Sequence, residues 1–408
     1  MEKYSSYKDS GVKWLGEIPS HWTLLPGLAV MKENKEKNSN LEYNTVLSLS
    51  YGKIIIKKDI NEGLVPAEYN TYQIVKSGYI VIRCTDLQND KTSLRTGLVK
   101  NEGIITSAYL GLVIDAQNNP SYIHYFLHAW DITKELYRHG SGLRQSLSWL
   151  DLKRLPILIP SRTEQDAIVS YLDTVTSQID VAIEQQKKMI ELLNERKQII
   201  INNAVTKGLD PNVKMKDSGV DWIGEIPEGW EVRRLRYLCR IKTGDKDTIN
   251  RVDDGIYPFY VRSPKVERIN SYTFDGEAVL MAGDGVGAGK VFHYVNGKFG
   301  CHQRVYILHN IKKVKGEFLF YYMQCNFPFI IEQLSAKSTV DSVRLNMLQD
   351  CQVVIPTIEE QNRILDNLKV SLSQIEFAIK YAERQISLLQ ERKQIIINEV
   401  VTGKVKVS

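Results

Sequence analysis

The chain repeats itself. Residues 8–22 read KDSGVKWLGEIPSHW and residues 216–230 read KDSGVDWIGEIPEGW, with 11 of 15 positions identical at an offset of 208. A second pair follows downstream, LLNERKQIIINNAVT from Leu192 and LLQERKQIIINEVVT from Leu388, at an offset of 196. The order is box, variable block, long helix, and then all three again. A repeat of this size decides the architecture before any local propensity does. An internal two-fold suits a target that is itself bipartite, and duplex DNA is the leading candidate.

The helices are written in the spacing of apolar residues. Val169, Leu172, Thr176, Ile179, Ile183, Gln186, Ile190, Leu193, Lys197 and Ile200 follow a 3,4 rhythm. The second copy gives Leu365, Leu368, Leu372, Ile375, Ile379, Ala382, Ile386, Leu389, Lys393 and Ile396. Heptads sustained this long predict a coiled coil, in which each stripe needs a partner. Both helices follow an Ile-Pro stop, Ile159-Pro160 and Ile355-Pro356. Both carry Glu-Gln at their start, Glu164-Gln165 and Glu360-Gln361, where a carboxylate suits the helix dipole. At about forty residues the first helix would be about 60 Å long, a spacer rather than a core helix.

Blocks 23–160 and 231–356 read as mixed α/β. Short β-rich runs such as Tyr79–Arg83, Gly111–Ile114, Ala278–Met281 and Arg304–Leu308 alternate with Gly, Asn and Asp. Helical stretches at Tyr122–Tyr137 and Phe318–Leu334 share the 196 offset, so the copies differ most between Trp22 and about Leu110. With 408 residues and 43% hydrophobic content the chain can bury two cores. A net charge of +5 permits a polyanionic partner without demanding one. Five cysteines without a CxxC pair argue against a disulfide framework or zinc ribbon and fit a reducing cytoplasm. The N-terminus has no signal-peptide core and no run is long enough to span a membrane, so a soluble cytoplasmic protein is expected.

Several motifs suggest catalysis and fall short of it. In Gly283-Asp-Gly-Val-Gly-Ala-Gly-Lys290, Asp284 stands where a P-loop needs its first glycine, and Val291 replaces the magnesium-binding hydroxyl. Ala288 likewise breaks GxGxxG. Asn119-Pro-Ser-Tyr122 is one residue from an adenine-methyltransferase loop, but Pro at a helix start is ordinary punctuation. His124 and His128 lie one turn apart without a third ligand or the Glu of HExxH. No metal site and no catalytic residue is assigned. The four box tryptophans, Trp14, Trp22, Trp222 and Trp230, read as packing residues.

The polar clusters are of another kind. Block one offers Gln88, Asn89, Lys91, Arg95, Ser107, Tyr109, Arg144 and Gln145. Block two offers Tyr260, Arg262, Lys265, Asp284, Lys290, His302, Gln303 and Arg304. Arg and Lys read guanine, Asn and Gln read adenine, and Ser and Tyr hold the backbone. Their clustering on turns makes them candidate DNA contacts. Leu172, Ile179, Ile183, Ile190, Leu193, Leu368, Ile375, Ile379, Ile386 and Leu389 are the candidate helix-packing or partner residues.

With its SGVxWxGEIPxxW boxes, its IPxxxEQ helix starts and its two ERKQIIIN segments, the whole chain resembles the specificity subunit of a type I restriction–modification system. That resemblance implies an α/β (α+β) chain of two target recognition domains, at 1–160 and 208–356. Two antiparallel coiled-coil spacer helices would lie at 161–207 and 357–408. Each domain would read one half of a bipartite double-stranded DNA site, and the helices would set the gap. Two modification (methyltransferase) subunits would dock on the helices and bring S-adenosylmethionine. Two motor/nuclease restriction subunits would bring ATP and Mg. The chain itself would hold no cofactor and catalyse nothing. A nucleotide-dependent enzyme using the Gly283–Lys290 loop is the alternative, and a coiled-coil scaffold without a DNA role ranks last.

Overall fold

A computed structural model of the chain describes residues 2–57, 69–87, 94–139, 146–335 and 342–407. It divides into two compact units, Met1–Gln186 with Arg384–Ser408, and Lys187–Glu383. Among the described residues the α-helices are α1 (Pro120–Ile132), α2 (Trp149–Leu152), α3 (Arg162–Lys207), α4 (Gly316–Ser335), α5 (Leu345–Asp350) and α6 (Ile358–Val401). The chain passes from one unit to the other inside α3 and returns inside α6, so each unit holds part of both long helices. At 46 and 44 residues these helices run about 65–70 Å each.

Each box folds as the same hairpin. Tyr7–Asp9 pairs antiparallel with Glu17–Pro19, and Met215–Asp217 pairs with Glu225–Pro227 in the same register. The turn needs left-handed backbone at Gly11 and Gly16, and again at Gly219 and Gly224, a conformation that glycine adopts without steric cost. Asp9 Oδ1 accepts from Gly11 N at 3.0 Å, and Asp217 Oδ1 accepts from Gly219 N at 2.9 Å.

The boxes then latch onto the helix starts. Trp22 is fully buried and its Nε1 donates to Glu164 Oε1 at 3.2 Å. Trp230 Nε1 donates to Glu360 Oε2 at 2.8 Å. Burial alone would raise the Glu164 carboxyl, but hydrogen bonds from His21, Ser161 and Trp22 hold it below the ordinary value. The neighbouring glutamines are buried and tie a loop to each helix. Gln165 Oε1 accepts from Asn119 N, and Gln361 Oε1 accepts from Lys315 N, both at 2.8 Å. Glu-Gln is thus a two-residue clamp, which explains its place in both repeats.

In the first unit, Trp22, Tyr122, Phe126 and Trp130 form a core with Ile168, Leu172, Ile179 and Ile183 of α3 and with Ile396, Ile397, Val400 and Val401 of α6. Gly403, left-handed just past α6, lies so close to Pro19 that a Cβ would come within 2.4 Å. The start of α3 and the end of α6 therefore meet at one box and run antiparallel. The second unit repeats this with the roles exchanged: Gly208, just past α3, sits against Trp230 and Glu360 at the start of α6. Its core joins Trp230, Phe318, Tyr322 and Phe327 to Ile201 and Val205 of α3 and to Ile364, Leu368 and Leu372 of α6.

Of the predicted seam, Leu172, Ile179, Ile183, Leu368 and Ile375 are buried. Ile190, Leu193, Ile379, Ile386 and Leu389 are only half-buried.

The variable halves differ as sheets. The first unit has a four-stranded antiparallel sheet in the order Met31–Glu33, Leu110–Ile114, Ile80–Ile82, Thr96–Leu98. The second has six strands in the order Arg240–Thr243, Val305–His309, Phe274–Ala282, Phe292–Cys301, Tyr257–Tyr260, Glu267–Ile269. One of its pairings, Tyr257–Tyr260 with Phe292–Cys301, is parallel. Shared frames carrying unlike sheets are what the changing offset predicts.

Candidate nucleic-acid interface

In the second unit, four loops (245–250, 260–265, 283–290 and 302–304) are strapped together by their backbones. Asp245 N and Lys246 N both donate to Cys301 O at 3.2 Å, and Gln303 N donates to Lys246 O at 2.8 Å. His302 N donates to Tyr260 O at 3.0 Å, and Gly283 N donates to Arg304 O at 2.8 Å. The 283–290 loop lies on the 260–265 loop so tightly that a Cβ on Gly287 would come within 2.4 Å of Arg262 O.

These straps gather most of the candidate side chains of block two. Asp284, mostly covered, sits between two arginines. Arg262 Nη1 lies 3.1 Å from its Oδ1 and Arg304 Nε lies 3.6 Å from its Oδ2. Gln303 Nε2 donates to Asp247 Oδ2 at 3.0 Å. Lys290 is exposed at the end of its loop, and Lys265 stands 3.6 Å from Glu267. Val286, at the tip of the glycine loop, and Ile249, beside Asp247, are almost wholly exposed. Asp247, Ile249 and Val286 are absent from the sequence-derived set. The capping pattern Asp247-Thr-Ile-Asn250 was the available signal for the first two.

One candidate there is structural, and a second is half-buried by ring packing. His302 is only 3% exposed and its Nδ1 accepts from Arg304 N at 3.0 Å. Burial and then the Arg262 charge lower its pKa, so it is a neutral prop beneath the loops and not a contact. Tyr260 packs its ring 4.9 Å from His293 and 5.8 Å from Phe299.

The first unit requires a larger correction. Arg95 is fully buried, and its guanidinium is occupied. Nη1 donates to Thr85 O at 2.8 Å, Nη2 to Asp86 O at 3.1 Å and Nε to the Tyr137 hydroxyl at 3.2 Å. These carbonyls lie just past the strand Ile80–Ile82, and the guanidinium is their donor. Arg95 closes that turn and cannot enter a groove. Ser107 is exposed and its hydroxyl donates to Thr71 O. Tyr109 is half-buried and its carbonyl accepts from Gln73 Nε2 at 2.6 Å. Gln88, Asn89, Lys91, Arg144 and Gln145 lie outside the described residues.

The glycine-rich loop is not a phosphate cradle. A P-loop works through unpaired backbone N–H groups at a helix N-terminus. Here Gly283, Ala288, Gly289, Lys290 and Val291 all donate their N–H groups to protein carbonyls, and the loop leads into the strand Phe292–Cys301. Asn119 is spent as well: its Oδ1 caps α1 through Ser121 N at 2.9 Å and its Nδ2 donates to Asp166 at 2.6 Å. His124 and His128 stack 6.0 Å apart inside the first unit. Burial lowers their pKa to about 4 and about 3. Among the described residues no group of three His, Cys, Asp or Glu could hold a metal ion, and no helix is long and apolar enough to cross a membrane. The five cysteines are free thiols, held above their usual pKa by burial.

A family model described as type I restriction modification DNA specificity domain matches residues 28–192 and, a second time, residues 227–382. The chain belongs to this family. Over 181 residues, which are 44% of this chain and 40% of that protein, it is 32% identical to the type I restriction enzyme EcoDI specificity subunit of Escherichia coli. It is 26% identical to a putative type I restriction enzyme MjaX specificity subunit of Methanocaldococcus jannaschii, across 98% of both chains. Its fold matches a chain from a structure of type I R-M complex assembly and conformational transition, with a TM-score of 0.71 at 15% identity over 95% of this chain and 99% of that one. The HsdS subunit from Thermoanaerobacter tengcongensis aligns with a TM-score of 0.51 at 14% identity, over 97% and 100%. Each match runs from just after or within a box into the long helix that follows it. DNA recognition in a type I restriction–modification system is its function, and the nucleotide-enzyme alternative has no support.

Proposed function

We propose that each unit of this specificity chain reads one half of a split duplex site, and that the long helices set the gap and dock methyltransferase subunits. One observation carries the reading: the two units repeat the Trp–Glu and Gln–loop bonds of their latch and differ in the sheets that bear the exposed loops. A conserved mount with a changed reading surface is what two unlike half-sites require. In the second unit Arg262, Arg304, Gln303 and Lys290 supply groups that suit bases and phosphates. Ser107 and Tyr109 remain the proposed contacts in the first.

Docking has its own support. α6 carries an exposed stripe, Val370, Phe377, Tyr381, Leu388 and Ile395, at heptad-like spacing beside the packed seam. α3 exposes Val181, Leu192 and Ile199 at the corresponding repeat positions. Apolar stripes of this length call for a protein partner. The modification subunits would bring S-adenosylmethionine and the chemistry. Restriction subunits would bring ATP and Mg, and this chain would supply recognition in the cytoplasm without catalysis of its own.

The spacer role is tested by length. Four residues added to each long helix should move the units by about 6 Å, near two base-pair rises of about 3.4 Å. The preferred site should keep both half-sequences and gain one or two base pairs between them. An unchanged gap would sink the spacer.

A further inference from the structure

We infer that Asp284 is a positioning residue that holds Arg262 and Arg304 as a guanine-reading pair, so that the half-site of the second unit contains guanine. The inference rests on the reading of this unit as a base-reading surface, and goes beyond it by naming the base and the residue that enforces the choice.

The geometry separates base reading from phosphate binding. Arg262 reaches Asp284 through Nη1, which leaves its Nε–Nη2 edge. Arg304 reaches it through Nε, which leaves the Nη1–Nη2 edge. Each guanidinium therefore keeps a two-donor edge, the shape that matches guanine O6 and N7. The side chains of Arg262 and Arg304 are 44% and 64% exposed, whereas that of Asp284 is 21% exposed. The acid lies beneath and the bases stand outward.

A carboxylate in this position repels a phosphate and weakens any clamp built for one. Beside a base edge it costs nothing comparable, and it removes rotamer freedom from two long side chains before binding. The loop backbone supports the same arrangement. Gly283 N donates to Arg304 O at 2.8 Å, and Gly287 lets the loop lie against Arg262 O. Asp284 thus meets both arginines through its side chain, on a loop whose glycines pack against their backbones. Lys290, exposed on the same loop, serves as the phosphate-type contrast.

The test uses the full chain assembled with its modification subunits. Binding is measured by competition among duplexes in which each base pair of the second half-site is changed in turn, at several salt concentrations. Wild type should lose roughly ten- to hundred-fold on substitution of a G·C pair. R262A and R304A should each erase that penalty at a G·C pair, and D284N should blunt both. R262K and R304K keep the charge but lose the two-donor edge. They should lose discrimination with an unaltered salt slope, whereas K290A should weaken all sequences alike and lower the slope by about 0.9. Discrimination within the first half-site serves as the control for folding and assembly.

The inference is overturned if the second half-site lacks a G·C pair, or if both arginine variants weaken every sequence equally with a shallower salt slope. A wild-type complex with no base preference at any position would instead defeat the underlying reading of the unit.

Discussion

Lys393 Nζ lies 2.6 Å from Asp180 Oδ1 in the first unit. The same relation recurs 196 residues away in the second, as Lys197 Nζ to Glu376 Oε1 at 2.8 Å. Both lysines occupy seam positions where the heptad asks for an apolar residue. Their stems run along the seam while their heads reach an acid at its edge. A polar residue in a seam costs stability and specifies register. Because both partners are partly exposed, the pair is worth little in itself. A double-mutant cycle of Lys393→Met with Asp180→Asn should give a coupling of about 0.5–1 kcal/mol in urea unfolding. By contrast Leu172→Ala, in the buried seam, should cost about 2–5 kcal/mol.

The latch makes a second prediction. Trp230→Phe keeps most of the packing and loses the bond to Glu360, so it should destabilise the chain by about 1.5–3 kcal/mol. Glu360→Gln retains an acceptor and should cost less. Unchanged stability in Trp230→Phe, measured by denaturant titration, would show that the hydrogen bond does not hold the box.

Acid stability is set in part by the two buried histidines. Folding depresses both pKa values, chiefly by burial, to about 4 for His124 and about 3 for His128, where Lys393 and His124 add to the effect. The unfolded chain takes up these protons below about pH 6.5. Their contribution is therefore complete above that pH and drains away as pH falls toward the folded values. The loss should reach about 2 kcal/mol per ring at pH 5. In unfolding titrations from pH 7.5 to 5, His128→Phe should flatten the decline. An unchanged slope would mean that other groups carry it.

The exposed stripe of α6 should matter to partners and not to the fold. Phe377→Glu and Tyr381→Glu lie at largely exposed positions (74% and 60%). They should shift stability by no more than about 0.5 kcal/mol while abolishing co-purification with modification subunits. Retained co-purification would place the docking surface elsewhere.

What could be read from the sequence depended on periodicity and repetition. Both long helices, the strand at Gly111–Ile114 and the helices near Tyr122 and Phe318 follow from local spacing, which a single chain displays. The role of Glu164-Gln165 did not, because its partners Trp22 and Asn119 are distant in sequence, and only folding brings them to it. Arg95 misled for the same reason. In sequence, a basic residue among polar neighbours resembles a groove contact, and nothing local reveals the carbonyls of Arg83, Thr85 and Asp86 and the tyrosine hydroxyl that occupy it. Asp284 was legible as a polar loop residue, but its place between two arginines depends on loops brought together by strand pairing.

The most direct test of bipartite recognition is methylome sequencing of cells that express this chain with its modification subunit, with and without the G287V substitution. That side chain would collide with Arg262 O and should unseat the second reading surface. The expected wild-type result is a split motif of two short sequences around a fixed gap, lost when the chain is deleted. In the variant, sequence preference should relax in one half only. A contiguous motif, or a variant that alters both halves equally, would contradict the assignment of one half-site to each unit.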